Sequence, residues 1–192
     1  MKKNRVVLFA SGNGSNAIRL MDYFLNHPTI EIASLITNNK ECGAVEVASK
    51  LAIHHEFFSN DKISKGVDLL SYLEQTNADY LVLVGFLRKI PSLIIDSFSN
   101  RIINLHPSLL PRYGGKGMFG DNVHKAVLEN KEEETGITIH KVNSDFDKGE
   151  RIAQFFVKIN TTDNLDDIRA KIKSLEYNYL PCTIEQFILN AK

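Results

Sequence analysis

Hydrophobic and polar residues follow two rhythms along this chain. Residues 6–10 form a short, unbroken apolar run after a basic start, and residues 16–26 carry apolar side chains at helical spacing. Residues 30–37 predict a second strand, 43–51 a helix and 56–59 a short third strand. Between 62 and 76, Ile63, Val67, Leu70 and Leu73 recur at the interval of one amphipathic helix. Residues 80–84 are continuously apolar, as in a parallel strand covered on both faces, and 102–106 predict a fifth strand. Such strand–helix alternation implies a parallel sheet with right-handed crossovers.

The rhythm changes after Leu110. Residues 111–120 are rich in glycine, carry Lys116 and predict a loop; 121–129 predict a helix. Residues 136–142 and 152–158 alternate as strands around a polar turn, and the chain from Asn164 onward is helical in pattern. Pro181 falls inside that last pattern and is expected to kink or split it. The expected fold is α/β: an open, mostly parallel, Rossmann-like sheet with helices on both faces. With no repeat, low-complexity tract or linker, residues 1–192 are expected to form a single domain.

Composition narrows the function classes. A hydrophobic content of 43% supports a sizeable core. Basic and acidic residues number 23 each, and a zero net charge argues against a surface devoted to nucleic acid. No apolar run approaches the ~18 residues of a membrane span. The run at 6–10 is too short for a signal sequence, and Ser11-Gly12-Asn13-Gly14 interrupts it. Cys42 and Cys182 have no metal or redox spacing and read as inert thiols in a reducing cytoplasm.

Four stretches carry candidate chemistry. Ser11-Gly12-Asn13-Gly14-Ser15-Asn16 joins the first strand to its helix, where hydroxyl, amide and helix-start N–H donors suit a phosphate. A plain glycine turn is the bland alternative. Gly12, Gly14 and Ala17 also fit the dinucleotide pattern, yet the second strand ends Thr37-Asn38-Asn39-Lys40, without the acidic residue that holds a ribose diol. Asn104-Leu105-His106-Pro107-Ser108-Leu109-Leu110-Pro111 ends the fifth strand. The two-residue strand period places Asn104 and His106 on one face, and Pro107 stops the pairing there. That puts an amide and an imidazole at the carboxyl edge, where open α/β sheets bind ligands.

Gly136 to Gly149 is a strand followed by an acidic turn in which either Asp145 or Asp147 could orient an imidazole. A solvated turn explains it equally well, and His140 is equally ambiguous. Gly85-Phe86-Leu87-Arg88-Lys89-Ile90-Pro91 follows the fourth strand at the expected switch point and suits a flat heterocycle; a loop packing Phe86 and Leu87 into the core is the competing account. His27, His54, His55 and His124 read as structural or exposed, and Lys131-Glu132-Glu133-Glu134 as a solvated face.

Four motifs occur together: the opening Val-Val-Leu-Phe-Ala-Ser-Gly-Asn-Gly-Ser-Asn, Gly85-Phe86-Leu87-Arg88, Ile103 to Pro111, and Gly136 to Gly149. In order and spacing the set resembles the folate-dependent formyltransferase family over nearly the whole chain, and the Gly-Asn-Gly-Ser-Asn loop is similar to its glycinamide ribonucleotide branch. The resemblance implies transfer of a formyl group from 10-formyltetrahydrofolate to the amine of 5-phosphoribosyl glycinamide in purine biosynthesis. It implies Asn104, His106 and Asp147 as the catalytic trio. It assigns Gly14, Ser15 and Asn16 to the substrate phosphate and Glu176 to the glycinamide substrate. Leu87, Arg88, Lys89 and Ile90 match the pterin stretch, and Lys62 and Asn104 the remaining folate contacts. It further implies small-molecule partners and no metal. Charge balance and hydropathy add the expectation of no nucleic acid and no membrane, the thiols that of a cytoplasmic location, and the chain is expected to be a monomer or homodimer.

Two departures accompany the match. The family pattern has Gly-Pro-Ile-Ile where this chain has Gly149-Glu150-Arg151-Ile152, and the loop around Lys116 is a variable segment. Among rivals, formylation of initiator methionyl-tRNA calls for a further domain and more positive charge, and a formyltetrahydrofolate hydrolase for a regulatory domain. A sugar-nucleotide N-formyltransferase is the nearest enzymatic rival. A non-catalytic nucleotide-binding module would leave Asn104, His106 and Asp147 without a joint purpose.

Overall fold

The apolar run after the basic start is strand β1, Asn4–Ala10, in which Val6 to Ala10 are wholly buried. The computed structural model describes residues 2–191, and the chain divides into two units, Met1–Ile103 and Asn104–Lys192.

In the first unit, α1 (Ser15–Phe24) buries Ala17, Leu20, Met21 and Phe24, the single stripe expected of a helix lying on a sheet. Strand β2 (Ile30–Thr37) runs parallel to β1. Helix α2 (Ala44–Lys50) leads to β3 (His54–Phe57), which runs parallel to β2. Then come α3 (Asn60–Lys65), α4 (Val67–Gln75) and β4 (Tyr80–Leu83), the last parallel to β1 on its other side. Helix α5 (Ser92–Ser97) precedes β5 (Ile102–His106), whose approach is fixed by the Leu81 N–H donating to the Arg101 carbonyl. The order β3-β2-β1-β4 means that the chain builds outward from β1 one way and then returns to its other side. The reversal between β1 and β4 is a topological switch point, where loops leaving the carboxyl ends of two strands diverge and leave room for a ligand.

In the second unit the order is β5-β6-β7. Helix α6 (Asp121–Glu129) precedes β6 (Glu134–Lys141), which pairs antiparallel with β7 (Arg151–Lys158). Helix α7 (Leu165–Asn190) opens with a capping box in which Asn164 and Asp167 satisfy each other's backbone N–H groups. The result is the expected α/β class, a mostly parallel sheet flanked by helices.

Three expectations are corrected. The helix predicted over 62–76 is two helices, divided at Gly66. This glycine adopts φ 77, donates its N–H to Lys62 and accepts from Leu70, so it ends α3 and starts α4. Its position is tight as well, since a Cβ there would meet Pro91 Cγ at 2.9 Å. The third strand lies at His54–Phe57 rather than 56–59, because pairing to Ser34–Thr37 selects it and its mixed burial hides it from an apolar scan. Pro181 does not split α7. Proline has no N–H to offer the residue four positions back, and that residue, Tyr177, lies on the exposed side of the helix. Helix α5, behind Pro91, was not legible in the hydrophobic pattern.

Among the described residues no helix is long and apolar enough to cross a membrane, and no group of three or more His, Cys, Asp or Glu side chains is placed to hold a metal ion.

Candidate active site

In the first unit, the loops after β1 and β4 are joined by one buried hydroxyl. Ser11 Oγ donates to Asn38 Oδ1 at 2.6 Å and accepts from the Leu87 N–H at 3.1 Å. Its backbone N–H donates to Gly85, and its carbonyl accepts from Asn39 Nδ2 at 2.9 Å. Gly12 accepts in turn from the Gly43 N–H. The glycine loop is therefore a braced rim. Gly14 takes φ 69 at the start of α1, and a Cβ there would meet Ala44 Cβ at 2.5 Å. Only glycine satisfies both demands. Ser15 and Asn16 follow as the first residues of the helix, the position from which a phosphate draws backbone donors.

The stretch after β4 separates into two kinds of residue. Leu87, Arg88 and Lys89 are exposed, whereas Ile90 is 3% exposed and belongs to the core. Phe86 packs edge-on against Phe9, with ring centroids 5.2 Å apart. The core-packing account thus holds for Phe86 and not for exposed Leu87, and Ile90 joins the core. Lys62 pairs with Asp68 at 3.0 Å.

In the second unit, four side chains converge at the end of β5. Asn104 Nδ2 lies 3.1 Å from His140 Nε2, and His140 Nε2 lies 3.6 Å from Asp147 Oδ1. Asp147 Oδ2 lies 3.6 Å from His106 Nδ1. Strand period places Asn104 and His106 together, as expected; β6 supplies His140, and the turn after it supplies Asp147. The partner carbonyls settle the tautomers. His140 Nδ1 faces the Lys141 carbonyl at 2.8 Å and His106 Nε2 faces the Tyr113 carbonyl at 2.8 Å. A carbonyl only accepts, so these two nitrogens carry the protons. His140 Nε2 then accepts from the Asn104 amide, while the lone pair of His106 Nδ1 faces Asp147.

Asp147 sits in the left-handed region, φ 55, which an Asp tolerates better than most residues. Its Oδ2 accepts from the Gly115 N–H at 2.8 Å, giving the glycine-rich loop 111–120 a part in the site. Burial pushes the Asp147 carboxyl up, but His140 and His106, both cationic at the acid pH where a carboxyl titrates, and the Gly115 N–H together bring it below the usual carboxylate range. A nearby carboxylate by itself favours the cationic imidazole, but at His106 the balance goes the other way. Burial lowers its proton affinity and outweighs the attraction of Asp147.

The choice left open between Asp145 and Asp147 is resolved by contact. Asp145 is exposed and lies 3.8 Å from Lys148. His140, ambiguous in the sequence, is 2% exposed and central to the cluster. Its signal was the same-face spacing to Thr138, whose hydroxyl donates to the Ser108 carbonyl at 2.6 Å and accepts from the Leu110 N–H at 3.0 Å. That hydroxyl binds the His-Pro-Ser-Leu-Leu turn to β6. The Glu150-Arg151 departure is absorbed locally, with Glu150 paired to Lys141 at 2.7 Å and Arg151 Nη1 3.3 Å from Gln154. Glu176 is half-buried on α7. The charged run is exposed at Lys131, Glu133 and Glu134 as expected, but Glu132 is half-buried and accepts from Tyr113 and Arg112.

A family model described as formyl transferase matches residues 4–184. The chloroplastic phosphoribosylglycinamide formyltransferase of Arabidopsis thaliana is 34% identical over 185 residues, 92% of this chain and 62% of that protein. The phosphoribosylglycinamide formyltransferase of Escherichia coli strain K12 is 29% identical over 189 residues, 95% of this chain and 86% of that one. A crystal structure of phosphoribosylglycinamide formyltransferase from Bacillus halodurans matches with a TM-score of 0.89 at 28% identity, covering 98% of this chain and 97% of that one. The chain spans about three fifths of the length of the chloroplastic relatives it matches, 62% and 58%.

Proposed function

The chain belongs to the formyl transferase family, and we propose that it transfers a formyl group from 10-formyltetrahydrofolate to the amine of 5-phosphoribosyl glycinamide, a step of purine biosynthesis. The observation that carries this reading is the cluster of Asn104, His140, Asp147 and His106. In such a reaction the amine nitrogen bonds to the formyl carbon, the carbonyl becomes an oxyanion, and a proton must leave the amine and reach the departing folate nitrogen. Asn104 has two amide N–H groups and gives one to His140. The second is the donor assigned to the oxyanion, an interaction typically worth ~3–4 kcal/mol of barrier.

His106 is held neutral at rest by burial, so its Nδ1 lone pair receives the amine proton. Asp147, ionised and 3.6 Å away, then stabilises the imidazolium until the proton passes to the leaving nitrogen. Gly14, Ser15 and Asn16 are assigned to the substrate phosphate and Glu176 to the glycinamide portion. The backbone of residues 87–90, with Lys62 and Asn104, is assigned to the folate. Two free thiols, Cys42 and Cys182, support the cytoplasm as the proposed location.

The test is a formyl-transfer assay on the purified chain with 10-formyltetrahydrofolate and either glycinamide ribonucleotide or an amino-sugar nucleotide. Turnover with the first acceptor, lost in His106→Ala, is the expected result. Turnover confined to the amino-sugar nucleotide, or a fully active His106→Ala protein, defeats the proposal.

A further inference from the structure

Both carboxylate oxygens of Glu132 are engaged, and its side chain is only 22% exposed. Oε1 accepts from the Tyr113 hydroxyl at 2.7 Å and Oε2 from Arg112 Nη1 at 2.7 Å. Two consecutive residues of the glycine-rich loop are thus tied to one carboxylate just ahead of β6. Arg112 Nη2 lies 3.6 Å from Glu134 as well. Ser108 holds the same corner through its hydroxyl, which donates to the Arg112 carbonyl at 2.7 Å.

The corner is held in an unfavourable shape. Tyr113 adopts φ 56, a left-handed conformation that costs a residue with a Cβ on the order of 1–3 kcal/mol. Such a conformation persists where the surroundings impose it, and here the Glu132 carboxylate, the Arg112 guanidinium and Ser108 do so. Burial and the neighbouring Glu132 raise the affinity of the Tyr113 hydroxyl for its proton, which keeps it a donor. The conformation places the Tyr113 carbonyl 2.8 Å from His106 Nε2.

We infer that Glu132 is a positioning residue: by clamping Arg112 and Tyr113 it presents the Tyr113 carbonyl to His106 and commits that imidazole to the tautomer with the proton on Nε2. The Nδ1 lone pair is thereby kept on the side of Asp147. Without the clamp, the corner relaxes towards an ordinary backbone conformation and the carbonyl leaves Nε2. The imidazole is then free to carry its proton on either nitrogen, and the fraction with a lone pair facing Asp147 falls. The kinetic consequence of that loss rests on the formyl-transfer reading; the tautomer itself does not.

The experiment is a two-bond proton–nitrogen correlation spectrum of the ¹⁵N-labelled chain at neutral pH, with the His106 signals identified by their loss in His106→Gln. The wild-type ring is expected in the single Nε2–H form. Glu132→Ala is expected to show mixed tautomers, and Tyr113→Phe, which keeps the ring but not the hydroxyl, to move in the same direction. Glu132→Gln keeps an acceptor for Tyr113 and stays nearer the wild type. In the formyl-transfer assay Glu132→Ala should lose about 10- to 100-fold in kcat, with KM for either substrate within about twofold. A Glu132→Ala ring that remains purely Nε2–H overturns the inference, and so does an unchanged Tyr113→Phe ring if the alanine variant does not fold. A tautomer change in a chain that transfers no formyl group defeats only the reading of the reaction.

Discussion

The Asn104 side chain is oriented by a histidine on the neighbouring strand of the sheet order: its Nδ2 donates to Nε2 of His140 at 3.1 Å, because His140 Nδ1 is spent on the Lys141 carbonyl. This fixes which end of the amide is nitrogen and leaves its second N–H uncommitted. An oxyanion donor works through preorganisation, and a side chain free to rotate would forfeit most of that benefit.

His140→Ala should therefore behave as a rate variant. The expected loss is about 10- to 100-fold in kcat, somewhat less than deletion of an oxyanion donor outright, with KM for glycinamide ribonucleotide nearly unchanged. Steady-state kinetics on the folded variant measures this. A rise in KM with kcat intact would place His140 in ground-state binding instead.

Asp147→Asn removes the charge that favours a proton on His106. The acidic limb of the kcat profile that reports His106 should move to lower pH, since burial then acts on the ring without opposition from a carboxylate. A limb that stays in place or moves upward would mean that Asp147 does not set the affinity of His106. Comparing pH–rate profiles of the two proteins decides it.

Ser11→Ala opens the brace between the loops after β1 and β4. The Leu87 N–H and the Asn38 amide oxygen each lose a partner, at a cost of about 1 kcal/mol for each such half-buried hydrogen bond. A lower melting temperature should come with a KM for the folate donor raised several-fold, because Leu87 belongs to the stretch assigned to the pterin. Wild-type values of both would detach Ser11 from that loop's function.

Stability should fall on mild acidification. His106 and His124 both have folded-state affinities below the ordinary 6.5, chiefly through burial. Their unfolded forms bind protons more readily, so their contribution is fully present above about pH 6.5 and is lost as the pH drops through and below it. Asp147, lowered from 3.8, adds a second decline at more acid pH by the same sign. Melting temperature measured from pH 8 to pH 5 should be flat at first and then fall. His124→Gln should flatten the first fall, since the buried Nδ1 of His124 has no hydrogen-bond partner among the described residues. A protein that melts higher at pH 5.5 than at pH 7.5 would contradict the assignment.

The sequence by itself determined whatever depends on local periodicity. The bounds Ile30–Thr37, Ile102–His106 and Asp121–Glu129 follow from runs of apolar residues at strand or helix spacing, and the pairing of Asn104 with His106 on one face follows from the two-residue period of a strand. Only tertiary structure decided what depends on distant contacts. Asp145 and Asp147 are alike in local chemistry and only the family resemblance separates them, whereas the fold brings Asp147 to two imidazoles. Gly66 divides a periodic helix because its backbone turns left-handed where Pro91 crowds it. Glu132 stands in a charged run that reads as solvated, yet both oxygens are taken by a loop that precedes it. Least legible of all was the resting state of His106. Proximity to an aspartate favours the cation and burial opposes it, and the depth of burial is set by the packing of the whole unit around the ring.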